Sequence, residues 1–401
     1  MFTAAILSAA LWQTTWFAAP QPTWDSTFVL PTNIPVSLSD QTVREVVRTS
    51  VGGKQVRVQL SNRYGSTPLA IGAVRIALAR DGGQIDPASE RALTFNGSAS
   101  VLVPPGAPVL SDPIDFVLKP LARVAVSTYF PVTTPVQTFH WGDQQTAYVS
   151  TGKGPAHHVK GRLFLTSLLV DAGPAAHTVI ALGDSITDGN GSTPDANRRW
   201  PDFLAQRLAP QGVAVVNAGI SGARLLGDKM GANALARFEQ DVLAQPGAKT
   251  VVVLLGINDI GWPGSPFAPG DPAASADQLI AGYRQLITLA RAHQVRIVGA
   301  TLPPFEGALA GTPFAGHFSP QKERVRMAVN HWLRTAGAFD AVVDFDAVLR
   351  DPAHPARLLP AFDSGDHLHP GDAGYQAMAA MFSMEKCLDS NNIITNCISF
   401  R

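Results

Sequence analysis

The pattern of apolar residues changes once along the chain, close to Gly173, and this change limits the possible folds more than any other feature. Before it, short runs alternate apolar and polar residues, as in Val56-Arg57-Val58-Gln59-Leu60, and after it the apolar runs are continuous. Alternation predicts strands with one buried face. Continuous runs predict parallel strands that are buried on both faces. We therefore expect an antiparallel β-domain followed by an α/β domain.

The first domain is expected to span residues 16–175 and to be an antiparallel β-sandwich of jelly-roll-like form. The run 43–48, the pair Gly52-Gly53 and the run 56–60 together predict a hairpin with one buried face. Similar runs follow at 73–78, 122–129 and 163–170. No stretch of this domain has helical periodicity, which favours an all-β architecture.

The second domain is expected to span residues 176–383. Its predicted parallel strands are 178–182, 213–216, 251–255, 296–302 and 341–345. Between them lie two stripes of apolar residues at helical spacing, Leu279, Ile280, Tyr283, Leu286, Ile287 and Ala290 in one, and Val325, Ala328, Val329, Trp332 and Leu333 in the other. Ser319-Pro320 provides a helix N-cap followed by proline at the first helical position. Strands and helices that alternate in this way predict three layers.

The two ends of the chain differ from the rest. Residues 1–15 begin MFTAAILSAALWQ, which favours a shortened export signal over a tag remnant or a first strand. That interpretation predicts a secreted or periplasmic protein, and otherwise a cytoplasmic one. Residues 384–401 hold both cysteines, Cys387 and Cys397, in a different composition. We interpret this tail as a frameshift or vector read-through, with a native extension closed by a disulfide as the alternative.

Charge and cysteine content exclude several classes of protein. Lys and Arg total 31 and Asp and Glu total 31, so no overall field attracts nucleic acid or anionic membrane. No run of eighteen uncharged apolar residues predicts membrane insertion. The body of the chain lacks cysteine, which excludes a disulfide framework or a cysteine-rich metal site there. His157-His158 has no carboxylate or cysteine nearby and is interpreted as a solvated loop.

Polar and glycine residues follow four of the five predicted parallel strands. These segments are Gly183-Asp184-Ser185-Ile186-Thr187-Asp188-Gly189, residues 217–224, residues 256–261 and residues 363–370. Sites in open parallel sheets gather beyond the carboxyl ends of the strands. We therefore expect these four segments to meet at one edge of the sheet.

Residue by residue, the four segments resemble the signature blocks of the SGNH (GDSL) hydrolase superfamily. Ser185 matches its serine, Gly222 its glycine, Asn258 its asparagine, and Asp366 and His369 its Asp-x-x-His pair. The resemblance covers residues 176–383 and implies a flavodoxin-like α/β hydrolase domain. The pairing of this domain with an N-terminal β-domain resembles a subfamily of arylesterases and acylhydrolases, some of which are associated with xylan degradation.

The resemblance implies a Ser-His-Asp triad. His369 removes the proton of the Ser185 hydroxyl during attack, which makes a poor nucleophile reactive. Asp366 fixes the tautomer of that imidazole. The resemblance also implies an oxyanion hole made of the Ser185 and Gly222 N–H groups and the Asn258 amide. This chemistry needs no metal and no organic cofactor.

Taken singly, each of these residues has a structural explanation. Asn258 fits a loop that caps a helix, Gly222 fits a turn, and Asp366 with His369 fits a structural hydrogen bond. His367 is a rival base at a different spacing and is interpreted as an orienting or solvent-facing residue. Asp188 is interpreted as a helix cap, with contact to the site as the alternative. Three aromatic residues in the loops, Trp262, Phe305 and Phe314, are candidates for the substrate pocket or for loop packing.

The function that the sequence favours is hydrolysis of short-chain carboxylic esters, with carbohydrate O-deacetylation as the narrower expectation. The partner is then a small-molecule or polysaccharide ester, and the oligomeric state is left open. One alternative is an acyltransferase that passes the acyl group from the same serine to a sugar hydroxyl. The other is a carbohydrate-binding protein with vestigial catalysis.

Overall fold

The computed structural model describes residues 11–152, 156–383 and 399–400. Antiparallel sheets occupy the chain up to Ala172 and a parallel sheet begins at His177, which confirms the predicted fold class. Residues 1–10 and both cysteines of the tail lie outside the described residues. In the described part of the chain, no helix combines the length and apolar character needed to span a bilayer.

The strands of the first part are short, apart from one of thirteen residues. They are β1 (Leu11–Phe17), β2 (Gln21–Pro22), β3 (Ser37–Leu38), β4 (Gln41–Arg48), β5 (Gly53–Ser61), β6 (Leu69–Ile71), β7 (Ala73–Leu78), β8 (Arg91–Leu93), β9 (Val101–Val103), β10 (Pro108–Leu110), β11 (Ile114–Leu118), β12 (Arg123–Phe130), β13 (Thr134–Pro135), β14 (Thr138–Ser150), β15 (His157–Leu163) and β16 (Leu165–Ala172).

Two of the sheets enclose the core of this β-domain. One has the order β1-β16-β5-β10, with β11 also on β5, and the other has the order β15-β14-β4-β12-β7-β8, with β2 also on β14. Alternate side chains of both sheets, such as Val47, Val58 and Leu168, are buried in one apolar cluster. Burial of one face of each strand explains why alternation identified these segments.

The predicted hairpin at 43–60 is wrong. Strand β4 pairs with β12 and β14, whereas β5 pairs with β10, β11 and β16, so the two strands lie in different sheets. Between them the chain crosses the sandwich, where the N–H of Thr49 bonds to Ala122 O and that of Ser50 to Thr15 O, each on another strand or loop. Alternation is the same in a hairpin and in such a crossover, because both bury one face of each strand.

Two further boundaries differ from the prediction. The run 163–170 is not one strand, because Phe164 has φ +67° and the chain changes sheets there, from β15 to β16. The β-domain also includes residues 11–15, which lie before its predicted start at residue 16, since β1 pairs with β16 along residues 11–17. Residues 11–17 therefore form a strand, which was one of the alternatives to an export signal at this end of the chain.

The second part alternates strands and helices. Its strands are β17 (His177–Gly183), β18 (Val213–Gly219), β19 (Ala248–Leu254), β20 (Arg296–Ala300) and β21 (Ala341–Val343). Its helices are α1 (Ser185–Asp188), α2 (Trp200–Leu208), α3 (Ala234–Phe238), α4 (Ile257–Gly261), α5 (Ala276–Ala292), α6 (Pro320–Thr335), α7 (Phe345–Leu349) and α8 (Asp372–Ala380). A short antiparallel pair, β22 (Phe382–Ser383) with β23 (Ser399–Phe400), follows α8.

The five parallel strands have the order β18-β17-β19-β20-β21. This is the doubly wound order 2-1-3-4-5, in which the topology reverses beside the first strand and leaves a crevice at its carboxyl end. The stripe predicted on α5 is buried except for Ile280. On α6, Ala328 is exposed, and Arg326 and Asn330 are buried instead, because Arg326 pairs with Asp346 and Asn330 bonds to the backbone of Leu302.

The β-domain covers the open edge of the parallel sheet. Strand β18 is the edge strand, and its Val215 N–H donates to Ser50 Oγ of the β-domain at 2.7 Å. At the start of β17, Gln13 Nε2 donates to His177 O at 2.7 Å. These bonds satisfy polar groups that the contact between the two domains removes from water.

A buried group of charges also joins the two domains. Asp143 on β14 pairs with Arg162 of the neighbouring strand and, at 2.7 Å, with Arg199 at the start of α2. All three side chains are at most 6% exposed. Removing the shared carboxylate leaves the buried guanidinium of Arg162 without an ion pair, which costs far more than removing a surface pair.

We predict that Asp143→Ala lowers the free energy of unfolding by about 3–5 kcal/mol, because the buried guanidinium of Arg162 loses the carboxylate it pairs with and that of Arg199 keeps only Asp202. Urea denaturation followed by circular dichroism measures this change. Asp86→Ala is the matched control, since it removes an exposed pair with Arg80 and should cost less than about 1 kcal/mol. Equal losses in the two variants would contradict the prediction.

Candidate active site

The four predicted loops come together at the carboxyl edge of the parallel sheet. Strand β17 leads into α1, β18 into the turn 220–223, and β19 into α4, while the segment 363–370 precedes α8. Hydrogen bonds join the first two loops, as Ile220 N–H donates to Gly183 O at 3.1 Å. Another joins the second and third, as Asn258 Nδ2 donates to Ala223 O at 3.1 Å.

Ser185 is the first residue of α1 and is 6% exposed. Asp184 is the N-cap of this helix, and its side chain accepts a hydrogen bond from the Ile186 N–H at 3.0 Å. The turn is tight, since a Cβ on Gly183 would lie 2.0 Å from Thr187 Oγ1. Glycine at 183 thus lets the helix start directly against the end of β17.

A chain of hydrogen bonds runs from Ser185 through His369 to Asp366. His369 Nε2 lies 2.7 Å from Ser185 Oγ, and its Nδ1 lies 2.6 Å from Asp366 Oδ2. The carboxylate can only accept when ionised, so Nδ1 carries the proton and Nε2 is free to accept from the hydroxyl. The side chains named as the candidate triad therefore meet in the geometry that general-base activation of a serine requires.

The surroundings of Asp366 favour its ionised form. Burial by itself would raise the pKa of Asp366, but the hydrogen bond and charge of His369 outweigh it. The N–H groups of Leu368 and His369 also donate to Asp366 Oδ1, at 3.0 and 2.8 Å. Together these interactions hold the pKa of Asp366 well below its ordinary value.

Gly222 and Asn258, the other two residues of the predicted oxyanion hole, lie side by side. Gly222 has φ +76°, and a Cβ there would lie 2.5 Å from Met230 Sδ and 2.8 Å from the Trp262 ring. Within the described residues, no protein atom accepts a hydrogen bond from the Gly222 N–H. Asn258 Nδ2 uses one hydrogen on Ala223 O, which leaves the second for a ligand.

A buried arginine that the sequence analysis missed fixes the strand ends behind the site. Arg237 of α3 donates to Gly183 O at 3.0 Å and to Ala218 O at 2.8 Å, and its charge is paired with Asp241. It therefore holds the ends of β17 and β18 together. Apolar periodicity gave no signal for it, because a buried charge interrupts the pattern on which helix assignment depends.

Asp188 does not cap α1, contrary to the sequence interpretation, because Asp184 occupies that position. Instead, its carboxylate accepts from the N–H and Oγ of Ser221, at 3.1 and 2.6 Å, and lies 3.0 Å from His140 Nε2 of the β-domain. His140, Asp143 and Asp188 could together face a cation. Both oxygens of Asp143 are already paired with guanidinium groups, which disfavours a metal ion there.

The three candidate pocket residues have different positions. Trp262 is buried against Gly222 and stacks on Phe267, with ring centroids 4.9 Å apart. Phe314 continues the stack on the other face of Phe267, at 4.4 Å. Phe305 is fully buried in the core of the α/β domain, so its assignment to the pocket is wrong.

The aromatic stack borders a groove between the two domains. Its volume is about 660 Å³, and Phe267 forms one wall while Trp24 and Phe28 of the β-domain form the other. Polar side chains also line the groove, namely Thr23, Asp25, Thr27 and Lys229, together with the apolar residues Val29, Pro266 and Pro269. The sequence analysis did not identify Trp24 or Phe28, because no local pattern shows that the loop of one domain lies on the other.

The remaining histidines named from the sequence lie away from Ser185. His367 is exposed and bonds to Asp363, so it is not the partner of the serine. His157 and His158 are exposed on β15, not in a loop as predicted, and they belong to no group of potential metal ligands within the described residues. His369 alone among these residues contacts the serine hydroxyl.

The α/β domain is doubly wound and has hydrogen-bonded serine, histidine and aspartate at the carboxyl edge of its sheet. This combination of fold and site is typical of one class of serine hydrolases. Residues 181–377 match the model of the GDSL-like Lipase/Acylhydrolase family, so this part of the chain is similar to that family. No curated protein matches the chain.

Several solved structures are similar to the α/β half. A putative lipolytic protein of the G-D-S-L family from Desulfitobacterium hafniense is 22% identical, with 51% of this chain and 95% of that chain covered and a TM-score of 0.36. A putative arylesterase from Agrobacterium tumefaciens is 21% identical, with 51% and 95% covered and a TM-score of 0.39. A carbohydrate acetylesterase family member from Sinorhizobium meliloti is 22% identical, with 51% and 94% covered and a TM-score of 0.40.

We predict that the stability contributed by Asp184 decreases as the pH rises. Burial raises the pKa of Asp184 from 3.8 to about 7. Because the carboxyl of Asp184 binds its proton more tightly in the folded chain, its contribution to stability is complete below pH 3.8, where the carboxyl is protonated in both states. This contribution is lost as the pH rises from 3.8 to about 7. Asp184→Asn keeps the acceptor for Ile186 without the titration. The difference in unfolding free energy between wild type and variant, measured by denaturation, should fall through this range and then level off. A constant difference would refute the shift.

Proposed function

We propose that the protein hydrolyses carboxylic esters through an acyl-enzyme on Ser185. The observation that carries this proposal is the unbroken chain of hydrogen bonds from Ser185 Oγ to His369 and on to Asp366. A serine needs an adjacent base, and the base needs a group that orients it, for attack on a carbonyl carbon. The match of residues 181–377 to the GDSL-like Lipase/Acylhydrolase family model agrees with this chemistry.

In the proposed reaction, Ser185 Oγ bonds to the carbonyl carbon while its proton passes to His369 Nε2. The carbonyl π electrons move to oxygen, and the N–H groups of Ser185 and Gly222 and the amide of Asn258 stabilise the resulting oxyanion. His369 then gives its proton to the departing alkoxide as the ester C–O bond breaks. Water attacks the acyl-enzyme by the same steps and releases the acid and free Ser185. No step needs a metal or an organic cofactor.

The surroundings of Gly222 favour a short acyl group. Met230 and Trp262 lie directly against this glycine and are each 2% exposed. They leave little space for a long acyl chain on that side of the carbonyl. The groove beyond them, with aromatic and hydroxyl side chains, fits a larger and more polar alcohol. We therefore propose short-chain esters, with O-acetylated carbohydrate as the narrower substrate class.

We predict that Ser185→Ala abolishes ester hydrolysis and leaves folding intact, because the variant removes only the nucleophile. Initial rates with p-nitrophenyl acetate and thermal unfolding measure the two properties. Asn258→Ala should instead lower kcat by about 10²–10³-fold with little change in KM, because its donor acts mainly in the transition state. Full activity of Ser185→Ala would refute the proposed nucleophile.

We predict that activity falls steeply as the acyl chain lengthens from acetate to octanoate, because Met230 and Trp262 limit the acyl side. Initial rates on graded p-nitrophenyl esters test the acyl preference, and acetate release from acetylated xylan tests the carbohydrate proposal. Equal rates for all chain lengths would contradict a short acyl site. Transfer of acetyl to an added sugar in preference to water would favour the acyltransferase alternative.

A further inference from the structure

Strand β14 of the β-domain has an irregularity that faces the candidate active site. Its pairing with β15 shifts register between Trp141 and Thr146, and Gly142 and Gln144 have φ of +77° and +47°. We name residues 140–145 the β14 bulge. Bulges commonly occur beside active sites, where they redirect side chains from the face of the sheet. Two side chains of this bulge, those of His140 and Gln144, point to the α/β domain.

His140 is held on both sides by oxygen atoms. Its Nδ1 lies 2.8 Å from Ala19 O and its Nε2 lies 3.0 Å from Asp188 Oδ1, and the side chain is buried. A carbonyl oxygen only accepts, so Nδ1 carries a proton, and an ionised carboxylate requires a proton on Nε2 as well. Burial alone would lower the pKa of His140, but the charge and hydrogen bond of Asp188 raise it overall.

The other oxygen of Asp188 binds the residue that precedes Gly222. Asp188 Oδ2 accepts from both the N–H and the Oγ of Ser221. A second connection runs from Gln144 Nε2 to Asn190 Oδ1 at 3.1 Å, and that oxygen lies 3.2 Å from Ser221 Oγ. The Ser221 hydroxyl has one proton, which Asp188 Oδ2 accepts, so Asn190 contacts this hydroxyl without receiving a second bond from it. The two bulge side chains thus reach Ser221 through Asp188, the last residue of α1, and through Asn190, two residues further on.

We propose that the β14 bulge positions the Ser221–Gly222 peptide, so that the β-domain completes the oxyanion hole. This inference rests on the proposed esterase function. The Gly222 N–H stabilises charge only if it points to the oxygen of the tetrahedral intermediate, and small misplacements of such donors cost large factors in rate. His140, Gln144 and Asp188 are positioning residues, because they act through Ser221 and do not touch the substrate.

The first test compares His140→Ala with Gln13→Ala. Gln13→Ala is the matched control, since it also removes a buried hydrogen bond between the domains, at the opposite end of β17. His140→Ala should lower kcat for p-nitrophenyl acetate by about 10–100-fold with KM nearly unchanged, because only the transition state carries the oxyanion charge. Gln13→Ala should reduce the melting temperature and leave kcat near that of the wild type.

A second test uses rescue by a conservative variant. In Asp188→Asn, the amide oxygen can still accept from Ser221, and the amide nitrogen can donate to Nε2 of a neutral His140. We expect this variant to retain most of the kcat, whereas Asp188→Ala should lose it to the same extent as His140→Ala. A loss in Asp188→Asn equal to that in Asp188→Ala would overturn positioning by hydrogen-bond geometry.

The outcomes separate this inference from the proposed function. If the wild type does not hydrolyse esters, the proposed function fails; if it does and His140→Ala keeps its kcat, only the inference fails. Should His140→Ala not fold, Gln144→Ala replaces it, since Gln144 is only partly buried. Gln144→Ala should lower kcat several-fold with KM unchanged, and an unchanged kcat in this folded variant would overturn the inference.

Discussion

The open edge of the parallel sheet is the constraint on which the arrangement of the molecule depends. A strand at the edge of a sheet exposes unpaired N–H and C=O groups, and parallel sheets are usually covered on both faces. Here the β-domain lies along β18, and Ser50 satisfies the N–H of Val215. The same contact brings β14 beside α1 and the turn that carries Gly222. The packing of the β-domain that protects the edge strand therefore also places residues beside the candidate active site.

Much of the α/β domain could be predicted from sequence because its signals are local. Continuous apolar runs marked all five parallel strands to within a few residues, and the chemistry followed directly after them. Strand ends in a parallel sheet share an edge, so the order of segments was enough to place Ser185 near His369. The 2.7 Å contact between them depends on the conformation of the long loop between α7 and α8, which the motif spacing alone does not determine.

The failures of sequence reasoning involve contacts between distant parts of the chain. Alternation identified β4 and β5 but not the sheet to which each belongs, because inner faces of both sheets have the same pattern. Arg326 and Asn330 fall outside the apolar stripe predicted on α6, yet both are buried because the backbone of Leu302 offers them partners. His140 had no motif around it, since its partner Asp188 belongs to the other domain.

The charges that join the two domains also determine how far the halves of this protein are interchangeable. Arg199 and Asp188 of the α/β domain are buried against Asp143 and His140 of the β-domain. A chimaera that combines this catalytic half with an unrelated β-sandwich would leave Asp188 without the imidazole that it faces and Arg199 with only Asp202 as a counter-charge. Exchange of either half is therefore expected to require exchange of the interface charges that face it.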